Sequence, residues 1–238
     1  LYTKVSEDDS FINLIKSCFQ FFEKDLFTMY EDDTMMATSY GPFEDRIVTN
    51  AISYVMYSYA IFLLYFPDKE KYIVNKIHKL YTFICRKQRP DGSWLYAPDD
   101  KKSFIDCFHS CFIIKNIIKT EAILKLNNST VITANAYRYL CEHFYDVKSG
   151  LYKRFSLSNK LSLVKFDLYD NSEMLSLMNL MGDLSRLNNL DIAIKRNFTK
   201  GNDIYSLIDF LGIKLLKVYF WKDLDSDAKK GNLKLFKI

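Results

Sequence analysis

The sequence contains few of the residues that interrupt regular structure. Its 238 residues include only 7 glycines and 4 prolines, while hydrophobic residues make up 49% of the chain. This scarcity excludes a collagen-like or linker-rich chain, and the apolar fraction is enough for a sizeable buried core. The length suits one large domain, which we expect to span residues 1–238.

Long runs of one chemical character are also missing. The net charge of +4 comes from 33 basic and 29 acidic residues whose signs are interleaved, which argues against a nucleic-acid partner. The most apolar run, residues 51–66, is 16 residues long, whereas a membrane-spanning helix needs about 20. We therefore expect no nucleic-acid partner and no membrane span, and interpret this run as a core helix.

The cysteines do not form a disulfide or metal pattern. Their number is odd, and they lie in apolar stretches, as expected of reduced thiols in the cytoplasm: Cys18, Cys85, Cys107, Cys111 and Cys141. On a helix, His109 lies about 200° round from each of its two neighbouring cysteines, so the three cannot converge on one metal. No nucleotide-binding or hydrolase motif occurs either. We expect neither a metal nor a cofactor.

Helical periodicity dominates the chain, and strand alternation is nearly absent. It predicts helices near residues 8–28, 44–66, 69–88, 103–126, 130–145, 171–188 and 204–221, and a short extended or hairpin piece at 145–155. Helices of this length joined by short links pack as antiparallel pairs.

The helices also differ in how apolar their surfaces are. Those at 44–66 and 103–126 are apolar nearly all round, whereas those at 8–28 and 69–88 carry charge on one side. The prediction is an all-α fold, an α/α toroid with helix hairpins in inner and outer layers. Because the chain is short for six helix pairs, we expect either an incomplete toroid or part of a longer protein with a second domain or a protein partner.

A turn motif follows the helix predicted at 69–88. Gln88, Asp91, Gly92 and Trp94 form the pattern Q-x-x-D-G-x-W. An Asp-Gly turn presents backbone groups, a Gln can bond exposed helix ends, and a Trp can lie across them. We interpret the motif chiefly as a brace between helices, with Trp94 also a candidate substrate contact.

Two sets of polar residues are candidates for chemistry. Asp106 and His109 are three positions apart, so on a helix the carboxylate can orient the imidazole, either as a structural hydrogen bond or beside a substrate. Arg46, Asn50 and Tyr54 form a polar stripe at four-residue spacing on an apolar helix. Buried polar groups need partners, which neighbouring helices or a bound sugar carboxylate could supply.

Two acidic stretches contain carboxylates that could bind a metal or a diphosphate. Glu31-Asp32-Asp33 and the group Asp223, Asp225 and Asp227 both lack the D-D-x-x-D spacing that holds magnesium and a diphosphate. We interpret both as solvated loops.

Residues 83–117 carry a resemblance to a known group of proteins. They resemble helical-toroid proteins of bacterial polysaccharide and lipopolysaccharide gene clusters, akin to heparinase-like and glucuronyl-epimerase-like domains. The family words run Q-x-x-D-G-S-W-x-Y and W-I-D-N-F-H-T-G, and the matching residues are Gln88, Asp91, Gly92, Ser93, Trp94, Tyr96, Ile105, Asp106, Phe108 and His109. The chain departs from the second word at Phe104, Cys107, Ser110 and Cys111. Fainter likeness extends to residues 46–60 and 167–181.

The resemblance implies lyase- or epimerase-like chemistry on a uronate-containing glycan of surface polysaccharide. His109 would then be the base and Tyr96 or Tyr54 the acid, with Arg46 or Asn50 at the carboxylate. The alternative is a non-catalytic glycan-binding or assembly protein. A weaker likeness, through the first word, connects the chain to terpene cyclases and prenyltransferases, whose acidic motif is missing here.

Overall fold

The structure is a computed structural model that describes residues 9–44, 46–100, 103–126, 130–158 and 161–218. These residues form two compact units, one within residues 1–144 and 155–160 and the other within residues 145–154 and 161–238. The described part contains seven α-helices: α1 Asp9–Lys24, α2 Thr49–Leu63, α3 Glu70–Lys87, α4 Cys107–Leu124, α5 Thr130–His143, α6 Leu168–Met181 and α7 Leu184–Phe198.

Short strands accompany the helices. They are β1 Thr28–Glu31, β2 Met36–Thr38, β3 Ile105–Asp106, β4 Tyr145–Asp146, β5 Leu151–Tyr152, β6 Phe155–Leu157, β7 Val164–Asp167, β8 Thr199–Lys200, β9 Asp203–Asp209 and β10 Lys214–Val218. All their pairings are antiparallel: β1 with β2, β3 with β6, β4 with β5, and β9 with β7, β8 and β10.

The core of the first unit lies around α2 and α4. Both helices bury residues on most of their surface, whereas α3 buries a stripe that includes Ile73, Ile77 and Leu80. The polar groups between α2 and α4 pair with each other. The Asn116 side-chain amide donates to Ser53 Oγ at 3.0 Å, and Ser53 Oγ donates to a backbone carbonyl of α2 at 2.6 Å. The burial of α2 and α4 on most of their surface, against a single buried stripe on α3, confirms the predicted contrast between helices that are apolar nearly all round and helices with charge on one side.

The second unit packs α6 and α7 with the sheet ordered β10, β9, β7. The predicted helix 171–188 is in fact two helices, which are separated at Gly182 and Asp183. Gly182 adopts a left-handed φ of 73°, and the Asp183 carboxylate accepts from the Arg186 backbone N–H at 3.2 Å. Glycine ends a helix and aspartate begins one for these reasons. The predicted hairpin piece at 145–155 is confirmed by the pairing of β4 with β5.

The helix predicted at 204–221 is wrong, because β9 and β10 form an antiparallel hairpin there. Ile204, Leu207, Ile208 and Leu211 have helical spacing, which is what misled the prediction. The turn chemistry favours a hairpin instead. Asp209 Oδ1 accepts the backbone N–H groups of residues 211 and 213, and residue 212 is a glycine with φ of 84°.

The helix predicted to begin at 44 begins instead at Thr49, after a loop. The Tyr40 N–H donates to the Arg46 carbonyl at 3.2 Å, and Val48 is extended with φ of −126°. Asp45, which falls within the predicted helix 44–66, lies outside the described residues. No helix in the described ranges has the length and hydropathy that crossing a membrane requires.

Candidate functional site

The Q-x-x-D-G-x-W turn braces helix ends, as the sequence predicts. Gln88 Nε2 donates to the Gly92 carbonyl and to the Ile132 carbonyl of α5, both at 3.0 Å. Trp94 is buried, and its indole N–H donates to the Ile84 carbonyl of α3 at 2.8 Å. A Cβ on Gly92 would lie 2.6 Å from a carbonyl oxygen of α5, so the close approach needs a glycine.

The turn leads directly into an acid–imidazole pair. Asp106 ends β3 and is the N-cap of α4, and its Oδ2 lies 2.7 Å from Nδ1 of His109. The Asp106 side chain is 4% exposed and that of His109 is 20% exposed, so the carboxylate is sealed while the ring is partly open to solvent. An ionised carboxylate accepts a hydrogen bond from an Nδ1–H group. The other ring nitrogen, Nε2, is then the one that can take up a proton.

Tyr96 is fixed beside this pair. Its backbone N–H donates to the Phe104 carbonyl and its carbonyl accepts from the Thr49 N–H, both at 2.9 Å. The Tyr96 ring stacks on Phe104 with centroids 4.6 Å apart and lies 4.8 Å from the His109 ring. The start of α2 therefore holds a phenol next to the imidazole.

Arg46 lies beside both Tyr96 and Tyr40. Its guanidinium carbon lies 5.9 Å from the Tyr96 ring centre and 5.2 Å from that of Tyr40, within the range of cation–π attraction. The sequence predicted Arg46 as a substrate contact, and the structure brings it to the same cluster as His109 and Tyr96. We call the group Tyr40, Arg46, Tyr96, Asp106 and His109 the phenol–imidazole cluster.

The cluster alters the acidity of Tyr96. Burial raises the pKa of the Tyr96 phenol, and the electrostatic effects of the neighbouring Tyr40 and Asp106 side chains act in the same direction. The positive charge of Arg46 opposes them, but the net effect is an increase in pKa. Tyr96 therefore stays protonated at neutral pH and can serve as a proton donor.

The other predicted site residues lie at varying distances from this cluster. Tyr54 is 41% exposed, and its ring contacts Phe112, whose ring is 6.3 Å from that of His109. Asn50 is 8% exposed, and its buried Oδ1 has no hydrogen-bond partner among the described residues. Trp94 is buried, with its indole N–H bonded to α3.

The acidic stretch at residues 31–33 takes no part in the cluster. Asp32 Oδ1 accepts the backbone N–H groups of Thr34 and Met35, which closes an exposed turn, and its Oδ2 accepts from Tyr30. Asp223, Asp225 and Asp227 lie outside the described residues. Across the described ranges, no group of three or more histidine, cysteine, aspartate or glutamate side chains is placed to hold a metal ion.

Two aromatic residues in or beside the cluster could not be found from sequence spacing. Tyr40 belongs to a loop closed by its backbone bond to Arg46, and only the following Gly41-Pro42 turn signal hinted at this. Phe155 reaches Phe104, with ring centroids 5.8 Å apart, because β6 pairs with β3. That pairing joins segments about fifty positions apart, and neither has a strand pattern long enough to recognise.

The chain matches no protein-family model and no curated protein sequence. It does match solved structures. One is a cellobiose 2-epimerase from Bacillus thermoamylovorans, with 11% identity and a TM-score of 0.69 over 90% of this chain and 62% of that one. Another is a D-mannose isomerase, with 14% identity and a TM-score of 0.60 over 94% of this chain and 59% of that one.

A third structural match is an alpha-amylase from Clostridium perfringens, with 12% identity and a TM-score of 0.53 over 80% of this chain and 57% of that one. The chain thus spans about three fifths of the length of these proteins. At such low identity the likeness shows the fold alone. The fold is the predicted α/α toroid, to which the short strands are added.

Proposed function

We propose that the chain is a carbohydrate-processing protein whose phenol–imidazole cluster performs acid–base chemistry on a sugar. The observation that carries the proposal is the 2.7 Å contact between Asp106 and His109 with the Tyr96 ring 4.8 Å away. A base fixed by a carboxylate next to a protonated phenol is the minimum set for moving a proton on carbon. The structural likeness to a cellobiose 2-epimerase and a D-mannose isomerase supports a sugar as the substrate.

The chemistry follows from the proton positions. His109 Nε2 takes the proton from the carbon next to a carboxylate or carbonyl group, and the electron pair moves into an enolate. In epimerisation, Tyr96 returns a proton to the opposite face of that carbon. In elimination, the bond to the neighbouring glycosidic oxygen breaks, a carbon–carbon double bond forms, and Tyr96 protonates the departing oxygen.

We further propose a uronate-containing glycan of surface polysaccharide as the substrate. The enolate formed from a uronate carries two negative charges, so a nearby cation is needed to stabilise it. Arg46 is exposed and lies in cation–π range of Tyr96, which puts a positive charge next to the proton donor. The resemblance of residues 83–117 to polysaccharide-cluster proteins favours the same class of substrate.

The test is product formation from uronate-containing oligosaccharides. Elimination creates a double bond visible by ultraviolet absorbance, and epimerisation is visible by proton NMR. We expect His109→Ala to lower the rate roughly 100-fold or more, since a general base contributes about that much. His78→Ala, which changes an exposed histidine of α3, is the matched control and should keep the rate. An undiminished rate in His109→Ala would remove the cluster from the mechanism.

A second candidate function is glycan binding without catalysis. The observation in its favour is a set of exposed aromatic rings in the first unit, with Tyr40 51%, Phe43 69% and Tyr54 41% exposed. Such rings stack on sugar rings. In this case a glycan would raise the melting temperature equally in wild type and His109→Ala, and no product would form.

A further inference from the structure

The surface where α4 meets α2 continues beyond His109 as a row of aromatic rings. Phe112 follows His109 by three positions, with ring centroids 6.3 Å apart, and the Tyr54 ring of α2 contacts Phe112 at 5.4 Å. The Phe108 ring lies 5.7 Å from that of Phe112. Tyr54 is 41% exposed, and both phenylalanines are half-buried. The reaction proposed above gives these three rings no role.

Two lysines lie along the same row, each against an aromatic ring. Lys115 Nζ is 5.2 Å from the centre of the Phe112 ring, and Lys119 Nζ is 5.5 Å from the centre of the Tyr57 ring. The lysines are four positions apart in α4, so they share one face of that helix. Lys119 is exposed, whereas Lys115 is 8% exposed. No residue of α2 is charged, so α2 brings no negative charge to this surface.

The row leads away from His109 along both helices. Tyr54 of α2 contacts Phe112 of α4, and further along both helices Tyr57 contacts Lys119, so the two helices run side by side in the same direction. At 1.5 Å per residue, Lys119 lies about 15 Å along α4 from His109. A single sugar ring is too short to contact both residues, whereas a chain of sugars can do so.

We propose, on the basis of the function proposed above, that the row is a second sugar subsite. We call the group Tyr54, Tyr57, Phe112, Lys115 and Lys119 the lysine–aromatic strip. It binds an acidic sugar that is joined to the one at the phenol–imidazole cluster. The substrate is then an acidic oligosaccharide and not a single uronate.

The side chains of the strip fit the two parts of an acidic sugar. The apolar face of a sugar ring can stack on the Tyr54 and Phe112 rings, which expose part of their surface. The sugar carboxylate then pairs with the exposed ammonium group of Lys119, which the Tyr57 ring holds by cation–π attraction. A neutral sugar would gain the stacking but not the ion pair, so the strip favours acidic chains.

The first experiment measures binding and not turnover. A uronate tetrasaccharide and its carboxyl-reduced, neutral counterpart are titrated by calorimetry into wild type, Lys119→Gln and Lys71→Gln. Lys71 is an exposed lysine of α3 and is the matched control. We expect Lys119→Gln to weaken binding of the acidic tetrasaccharide about fivefold, which is the upper end for an exposed ion pair, and to leave binding of the neutral one unchanged. Lys71→Gln should change neither.

The aromatic part of the strip is tested with a second pair of variants. Tyr54→Ala removes the stacking ring and should weaken binding of both tetrasaccharides by up to about tenfold. Tyr145→Ala removes a tyrosine of the second unit that is 40% exposed, and it should change neither affinity. The melting temperature of each variant without sugar shows that it is folded. The inference is overturned if the wild type does not bind the acidic tetrasaccharide, or if Lys119→Gln or Tyr54→Ala binds it as tightly as the wild type.

The two proposals can fail separately. If the variants bind as expected but the wild type forms no product from uronate oligosaccharides, the lysine–aromatic strip stands as a binding site and the proposed catalysis fails. If product forms and Lys119→Gln binds the acidic tetrasaccharide as the wild type does, the proposed function stands and the strip is not a subsite.

Discussion

Two helices of this protein begin in the same way, one in each unit, and use the first residue differently. α4 follows β3 and α6 follows β7, and in both cases an extended aspartate is the N-cap: Asp106 with φ of −117° and Asp167 with φ of −119°. Asp167 Oδ1 caps its helix by accepting the Tyr169 backbone N–H at 2.9 Å. Asp106 makes no side-chain cap bond and contacts His109 instead.

The candidate site in the first unit lacks a stabilising N-cap hydrogen bond. An N-cap hydrogen bond stabilises a helix by about 1 kcal/mol, and α4 does without it. The residue three positions after the N-cap aspartate is His109 in α4 and the buried Asp170 in α6. In both places a strand, an N-cap aspartate and a helix follow one another. The difference is that α4 has a histidine three positions after the aspartate, which the aspartate can orient, whereas α6 has none.

The largest effect that tests this comparison is on activity. Asp106→Asn keeps the size of the side chain but cannot hold the Nδ1 proton of His109 in the same way, so we expect turnover to fall roughly 100-fold. Asp167→Asn is the matched change, and it should leave turnover unaltered. The rate on a uronate oligosaccharide measures both. Equal losses in the two variants would mean that the two aspartates do the same work.

The next effect is on stability, and it has the opposite pattern. Asp167→Ala removes a cap bond and should lower the free energy of unfolding by about 1 kcal/mol, whereas Asp167→Asn should restore most of it because Asn caps as well as Asp. Urea unfolding of the two variants, followed by circular dichroism, measures the difference. A cap role for Asp167 is excluded if Ala and Asn behave alike.

A smaller gain is expected from giving α4 the cap that it lacks. Asp106→Ser places a good N-cap residue at an extended position, so we expect α4 to gain part of about 1 kcal/mol. The same change should reduce turnover, because serine cannot replace the carboxylate. Asp167→Ser, compared in the same urea series, should be close to neutral in both measurements. A loss of stability in Asp106→Ser would show that the contact with His109 contributes more than a cap.

The smallest effect distinguishes the units by their response to acid. Burial would raise the pKa of Glu23 in the first unit, but hydrogen bonds from Tyr59, Tyr72 and Lys76 outweigh it and the net pKa is lowered. A carboxylate with a lowered pKa stabilises the fold above its unfolded pKa, about 4.3 for glutamate, and loses that contribution as pH falls further. Glu23→Gln should flatten the pH dependence of the urea midpoint below that pH.

The second unit offers the matched carboxylate. Burial opposes the ionisation of Asp146, but bonds from Ser149 and the ion pair with Lys165 lower its pKa overall. The contribution of ionised Asp146 to the stability of the fold should be lost as pH falls below the usual aspartate pKa, about 3.9. This loss begins at a slightly lower pH than the loss for Glu23. Asp146→Asn should flatten only that lower range. A profile that neither variant changes would show that both carboxylates are indifferent to folding.

The sequence was most informative where a local rule decides the structure. The Asp106 and His109 contact follows from three-residue spacing, and the Gln88 brace follows from an Asp-Gly turn at a helix end. The apolar surface of α2 correctly predicted a core helix. Each of these features is set by residues within one or two helical turns of each other.

The remaining features depend on contacts between distant segments. The helix predicted at 204–221 failed because apolar residues at helical spacing also fit a hairpin, and pairing with β7 favours the hairpin. Tyr96 meets Arg46 only because residues 95 and 96 are bonded to Thr49, at the start of α2. The roles of Asn50, Tyr54 and Trp94 toward a substrate stay predictions, as does the single domain.

The most direct test of the phenol–imidazole cluster is the loss of a carbon-bound proton from the substrate. The protein is incubated in heavy water with a uronate oligosaccharide or a reducing sugar, and NMR follows the proton at the carbon beside the carboxylate or carbonyl group, which epimerisation replaces with deuterium and elimination removes as the double bond forms. We predict loss of this proton signal with the wild type, a much slower loss with His109→Ala and Asp106→Asn, and the wild-type rate with Asp167→Asn. A loss that His109→Ala leaves unchanged, or glycan binding by the wild type with no loss of the signal, would contradict the proposed chemistry.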